Sequence, residues 1–273
     1  MRTMIQKYKE EISIAALMFL VYIPTVLWMW ERWFARDSYY SHGILIPFVS
    51  AYLIWNKKDE LAKIPVESSS WGLPIFFLGI GMHLMSALFR VYFSSGFSLI
   101  IVLFGLILHF FGQRIFRHVF FPVFFLVFMV PLPIVTIANI SFKLKLFAAQ
   151  MATAILNNHL RIPCFQDGSM IRMQHAQVVV DDVCSGLRSL ISLTALGSIF
   201  AYSIKGGILK KWVVFLSTIP IAVVTNGLRI VFLSMVSEIW GVRYATGLVH
   251  DLSGFIVFAG AFLLLFAIVK LLE

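Results

Sequence analysis

Cysteine is almost absent from this chain: among 273 residues there are two, Cys164 and Cys184. So few thiols exclude a disulfide-stapled scaffold or a cysteine-rich metal module. Charge is scarce too, 13% of residues against 60% hydrophobic, which excludes an ordinary soluble domain. The patterns HExxH, DHHC, GxSG and GxGD do not occur, which argues against zinc site-2 proteases, palmitoyltransferases, rhomboids and aspartyl intramembrane proteases. His83, His109, His118, His159 and His175 show no ligand spacing, so neither a metal nor another cofactor is expected. The net charge of +9 comes without a dense basic face. It suits membrane topology and anionic lipid, and no nucleic-acid partner is expected.

What the chain has in abundance is long apolar runs. Eight can be marked, at about 12–30, 42–55, 71–89, 96–112, 119–138, 184–203, 212–240 and 252–272, most of them near the ~20 residues a helix needs to cross a bilayer. The first is too long and too weakly bounded by small residues for a cleaved secretion signal. The second is short enough to be tilted or re-entrant. No internal repeat or low-complexity tract interrupts the pattern. The expected fold is an all-α polytopic membrane protein of about eight transmembrane helices, forming one domain over 1–273 with a small extracytoplasmic cap at 139–183. Within the cap, SFKLKLFAAQMATAILNNHL reads as an amphipathic interfacial helix with Lys143 and Lys145 toward headgroups. The following IPCFQDGSMIRMQHAQVVVDD reads as a short hairpin.

Basic residues in short connections resist translocation and so orient the spans. If eight spans alternate, Arg2, Lys7 and Lys9, Lys57, Lys58 and Lys63, Arg114 and Arg117, Lys205, Lys210 and Lys211, and Lys270 fall on one side. That side is expected to be cytoplasmic, with both termini inside. Residues 139–183 and both cysteines then face outward, where Cys164 and Cys184 read either as a disulfide or as a structural thiol beside a reactive one.

Ionisable groups at the edge of a span are costly and invite a functional reading. Eighteen residues separate Arg229 from Lys211, 21 separate Cys184 from Lys205, and 20 separate His250 from Lys270. At ~1.5 Å per helical residue, each lies about 27–31 Å from a basic marker. Cys184, Arg229 and His250 are thus expected at one depth, the outer membrane boundary. The run 212–240 is long for a simple crossing, so a bend at Asn226–Gly227 is expected to expose Arg229 to a cavity. A thiol, an imidazole and a guanidinium together can perform acyl transfer: the thiolate attacks, histidine moves the proton, and arginine stabilises the thiolate or an oxyanion. Each alone also has a plainer reading, as small packing, an interfacial histidine or a snorkelling arginine. Arg188, four residues after Cys184, competes with Arg229 as the thiolate's cation. Asn226 can orient Arg229 or donate to an oxyanion. Asp181, Asp182 and Asp251 flank the site and can orient His250 or hold Arg229.

The segments CSGLRSL around Cys184, NGLRI around Arg229 and the His250 that opens the last span, in that order, resemble the exosortases and archaeosortases. DSYYSHGILIP, Asp37 to Pro47, and FPVFFLVFMVPLP, Phe121 to Pro133, are similar to family segments as well. Val183 departs from the alanine usual before the cysteine. The resemblance implies a membrane cysteine protease and transpeptidase with Cys184 as nucleophile, His250 as general acid and base, and Arg229 as stabiliser. It also implies the substrates: exported proteins ending in a short recognition motif (Pro-Glu-Pro in many bacterial members), a transmembrane helix and a basic cluster, cut at the outer face of the cytoplasmic membrane. Tyr39, Ser41 and His42 of the early motif read as either substrate contacts or packing. A reading from a different class is a non-catalytic transporter or assembly partner for exported polymer, with Arg229 as a counter-charge.

Overall fold

The computed structural model describes residues 2–182 and 184–273 and is 75% helical. In chain order it has α1 Arg2–Trp33, α2 Leu45–Trp55, α3 Lys58–Leu61, α4 Gly72–Leu88, α5 Tyr92–Phe125, α6 Ile134–Asn158, β1 Cys164–Asp167, β2 Met170–Met173, β3 Gln177–Val179, α7 Leu187–Ser203, α8 Ile208–Trp240, α9 Val242–Ala245 and α10 Leu248–Leu272. Val183 lies outside the described residues, as do the side chains of Arg2, Lys7 and Lys9. The chain divides into two compact units, Met1–Leu132 and Pro133–Glu273.

Four helical segments among the described residues are long and apolar enough to cross a membrane: Tyr92–Met129, Ile134–Asn158, Ile208–Trp240 and Leu248–Leu272. The helices α2, α4 and α7 are apolar but shorter. The protein is therefore helical and multi-pass in character, and its segmentation differs from the eight even runs expected. The run 96–112 and the first part of 119–138 fall within one helical path, α5, interrupted at Gly112 with φ 79°, ψ 179°. A short 3-10 turn, Leu126–Met129, follows α5. The 119–138 run then breaks at Val130, which is extended, and α6 restarts after Pro133, whose φ of −55° suits a helix start.

In the first unit, α4 packs along α5, with α1 and α2 against the other sides of α5. A Cβ on Gly105 would run into the main chain of Phe76, so the two helices approach as closely as small residues allow in a membrane. Buried polar side chains fix their register. Tyr22 Oη bonds Ser98 Oγ at 2.9 Å, His83 Nδ1 bonds Ser95 Oγ at 2.8 Å, and Thr25 shares Ser95. The early motif belongs here: Trp33 Nε1 donates to Met129 O at 2.8 Å, Tyr40 is buried, and His42 stacks on Tyr40 with ring centroids 6.1 Å apart.

In the second unit, α8 is the central element, touching α6, α7, α9, α10 and β3. It runs through Asn226–Gly227 without a break, so the expected bend there is not found. On one side Leu193 and Ala201 of α7 meet Val214 and Ala222 of α8 and Ala261, Leu265 and Val269 of α10. On the other, Ala148, Ala149, Ala152 and Leu156 of α6 pack with Ile230 and Val231 of α8 and with Ile171, Val180 and Cys184. Between α6 and α7 lies a three-stranded antiparallel sheet, order β1-β2-β3, where a short hairpin was expected. The helix read as interfacial from Ser141 begins seven residues earlier and has crossing length. Lys143 is exposed, whereas Lys145 is not turned to headgroups: its side chain is 17% exposed and pairs with Asp182 at 2.9 Å.

The Gly112 conformation is one only glycine adopts without strain, and a Cβ there would collide with the Glu67 carbonyl. Gly112→Ala is expected to destabilise the fold by about 1–3 kcal/mol. Thermal unfolding in detergent against Gly81→Ala, where a Cβ meets open space, is the measurement.

Candidate active site

Cys184 does not open a helix; it sits in a turn ahead of α7. Asp181 makes that turn, accepting the Cys184 N–H on its carbonyl at 3.2 Å and on its carboxylate at 3.0 Å. Asp182 is held from α6, its carboxylate accepting from Ser141 Oγ and from Lys145 Nζ, each at 2.9 Å. These bonds hold the Asp182 carboxyl below the usual carboxylate range. The contribution of a lowered carboxylate is present above its ordinary pKa and fades as pH falls through the lowered one, so at neutral pH this anchor is intact. Gly186 then turns the chain at φ 78° into α7. A Cβ at Gly186 would strike the side chain of Asn226, so glycine is required twice over.

From α8, Asn226 and Arg229 reach the two ends of the site, spaced one helical turn apart. Asn226, 4% exposed, donates its amide to the Cys184 carbonyl at 2.9 Å. Arg229, 8% exposed, donates Nε to Ser253 Oγ at 3.1 Å and Nη2 to the His250 carbonyl at 3.0 Å. Ser253 in turn donates to the same carbonyl at 2.7 Å. No carboxylate pairs with Arg229 among the described residues.

His250, in the first turn of α10, closes the arrangement. Its Nε2 lies 2.9 Å from Cys184 Sγ and 3.2 Å from Arg229 Nη2. A guanidinium only donates, so the contact with Nη2 requires a bare lone pair on Nε2. The thiol hydrogen is directed at that same lone pair. The imidazole proton is thereby assigned to Nδ1, which faces Asp251 Oδ1 at 3.3 Å. Burial pushes the Cys184 thiol up to about 12, against the pull of the Arg229 guanidinium and with the Asp181 carboxylate adding to the rise. The raised value favours the thiol form of the sulfur, which lies within hydrogen-bonding distance of the imidazole.

The three residues distant in sequence thus meet within hydrogen-bonding distance, and Asn226 and Asp251 join them in the roles of clamp and orienter. Asn226 holds the cysteine's carbonyl rather than Arg229. Arg188 does not join them. It is half-buried in the first turn of α7, and Arg229 is the arginine whose guanidinium reaches His250 Nε2 beside the sulfur. Cys164 is no disulfide partner: both cysteines are free. The Cys164 thiol points to Thr153 O at 3.8 Å and Asn157 Oδ1 at 3.6 Å. Reading the sequence by single residues missed Ser253 and Gly254. They lie three and four after His250, on its helical face, and a Cβ on Gly254 would press on the guanidinium at 3.2 Å. That spacing was the available signal. It also missed Ser141 and Lys145, four apart on α6, whose link to Asp182 has no trace in local pattern.

A helical multi-pass membrane protein that sets a thiol, an imidazole and a buried guanidinium in one site belongs to a narrow class. A family description of transmembrane exosortases (Exosortase_EpsH) matches residues 28–267. The chain belongs to the transmembrane exosortase family. No curated protein and no solved structure matches it.

Because the thiol is raised, iodoacetamide alkylation of Cys184 is expected to climb by about tenfold per pH unit between about pH 7 and about pH 9. A rate already at its plateau near neutral pH would reveal a preformed thiolate and contradict this.

Proposed function

We propose that the protein is a membrane cysteine protease and transpeptidase that cleaves the C-terminal sorting tails of exported proteins, with Cys184 as nucleophile, His250 as general base and acid, and Arg229 as the anion's stabiliser. Family membership supports the class of reaction. The observation that carries the residue roles is the 2.9 Å approach of Cys184 Sγ to His250 Nε2 beside an arginine with no carboxylate partner.

In the proposed reaction the thiol proton passes to His250 Nε2 as sulfur attacks the scissile carbonyl carbon, and the carbonyl π electrons move onto oxygen. Proton transfer has a second consequence. Once Nε2 carries hydrogen it no longer accepts from Arg229, so Nη2 is released to the new anion just as that anion forms. Nη1, which engages no acceptor among the described residues, is available to the same oxygen. Collapse of the tetrahedral intermediate expels the amine, which leaves with the proton from Nε2. An acceptor amine, or water, then gives its proton to Nε2, attacks the thioester, and the sulfur recovers a proton as the acyl group departs. Asp251 keeps Nδ1–H in place throughout, as the third member of a catalytic triad does. Asn226 is a positioning residue through the Cys184 carbonyl.

The whole chain, 1–273, is read as one membrane domain with 139–183 as its extracytoplasmic insertion. It lies in the cytoplasmic membrane with both termini inside and the site facing the periplasm or exterior. Its partners are membrane lipid and exported proteins that end in a sorting motif, a transmembrane helix and a basic cluster.

Cys184→Ala is expected to insert normally and to leave a co-expressed tailed substrate uncut; normal cleavage by that variant would sink the proposal in favour of a transporter or assembly role. Arg229→Lys is expected to lose at least about a hundredfold in processing, because an ammonium's three donors spring from one atom and do not reproduce the planar spread that reaches Ser253, the His250 carbonyl and an oxyanion.

A further inference from the structure

The sheet of the second unit has two edges, and they are treated differently. In an antiparallel ladder, alternate residues direct N–H and C=O to the neighbouring strand and those between direct them away. Val180 donates to Ser169 O and Met173 donates to Ala176 O, both at 2.9 Å. With Ile171 opposite Val178, it follows that Ala176, Val178 and Val180 face β2, while Gln177 and Val179 turn their main-chain groups outward. On β1 the outward residues are Cys164 and Gln166: Cys164 is sealed by Asn157 of α6, which accepts from its N–H at 2.9 Å and donates to its carbonyl at 2.8 Å, and Gln166 is tied to α6 by its side chain, which donates to Leu146 O at 3.1 Å. On β3 nothing does the same. Gln177 and Val179 are exposed and make no main-chain hydrogen bond among the described residues. β1 rests on α6 and β3 on α8, so the open edge is the one away from α6.

That open edge runs into the nucleophile. Past Val179 the chain is anchored by Val180, 1% exposed, and enters the turn from Asp181 to Cys184. A turn of this kind brings its end residues within ~7 Å. At ~3.3 Å per extended residue, Cys184 is a reach of about four residues from Val179. The strand is also held firmly from its other end: the carboxylate of Glu238, on α8, accepts from the N–H of His175 at 3.1 Å and bonds its Nδ1 at 2.9 Å.

The geometry points to the outer edge of β3 as the docking rail for the substrate, whose extended segment flanking the scissile bond adds to the sheet as a fourth strand. This rests on the proposed activity. The occupant follows from the groups on offer: N–H and C=O pairs repeated at every second residue match the main chain of another polypeptide. A lipid headgroup carries acceptors without the alternating donors. Strand addition would read backbone rather than side chains, and would leave selection of the sorting motif to the pockets around it.

Val179→Pro removes the outward N–H and leaves every ladder bond to β2 in place. In this variant, processing of a co-expressed exported reporter ending in a polar segment, a transmembrane helix and a basic cluster is expected to fall about tenfold or more. Iodoacetamide alkylation of Cys184 is expected to stay at the wild-type rate, which reports that the site is still folded. A second measurement stands if the proline variant misfolds. In a chain carrying Cys184→Ala, Cys164→Ala and Val179→Cys, disulfide trapping of reporters with single cysteines scanned along the polar segment is expected to rise and fall with a period of two residues.

Wild-type processing by a folded Val179→Pro variant, trapping without that alternation, or trapping of a second copy of the chain instead of the reporter would each overturn docking at β3. Should the wild-type chain fail to process the reporter at all, the proposed activity falls and takes the docking with it. Processing by both wild type and proline variant removes the docking alone.

Discussion

A guanidinium buried to 8% exposure without a carboxylate at its side is expensive, and the second unit is organised around meeting that cost. Arg229 is supplied with neutral acceptors only: a serine hydroxyl, a main-chain carbonyl and a ring nitrogen, all from α10. Those bonds lock α10 to α8 at the level of His250. The Cys184 sulfur has its neutral form favoured by burial and its anion favoured by the same arginine. A neutral thiol leaves the guanidinium's charge uncompensated from that side, and an anion formed on sulfur or on a substrate oxygen would compensate it.

The cysteine reaches that position by a different kind of constraint. Its turn is gripped from both flanks, by Lys145 and Ser141 of α6 through Asp182 and by Asn226 of α8 through its own carbonyl. A glycine that must be left-handed and must have no Cβ completes the turn. α8 thus uses two side chains one turn apart, Asn226 and Arg229, to bind the carbonyls of Cys184 and of His250. Both residues are positioned through main chain, which leaves sulfur and imidazole facing each other at 2.9 Å.

Much of this was legible before folding. The apolar runs announced helices in a membrane, and the three polar residues at span edges announced a site, because ionisable groups in such places need a reason. Boundaries were less legible. The run 119–138 looks continuous by hydropathy, yet the chain is extended at Val130 and the next helix starts only after Pro133. Cys184 looks like a span's first residue, but Gly186 delays α7 to Leu187. Lys145 looked like a headgroup contact because a lysine on an amphipathic helix snorkels by default; its partner, Asp182, is 37 residues away and no local pattern connects them.

What the sequence by itself determined was membrane character, helical class and which few ionisable side chains sit at span edges, since these depend on composition and on spacing along one element. Tertiary structure alone decided which arginine and which cysteine meet His250, which nitrogen of His250 faces the sulfur and which sheet edge stays open. Each of those is a choice between chemically similar groups. It is settled by distances of about 3 Å between segments far apart in the chain, where a hydrogen bond exists or does not.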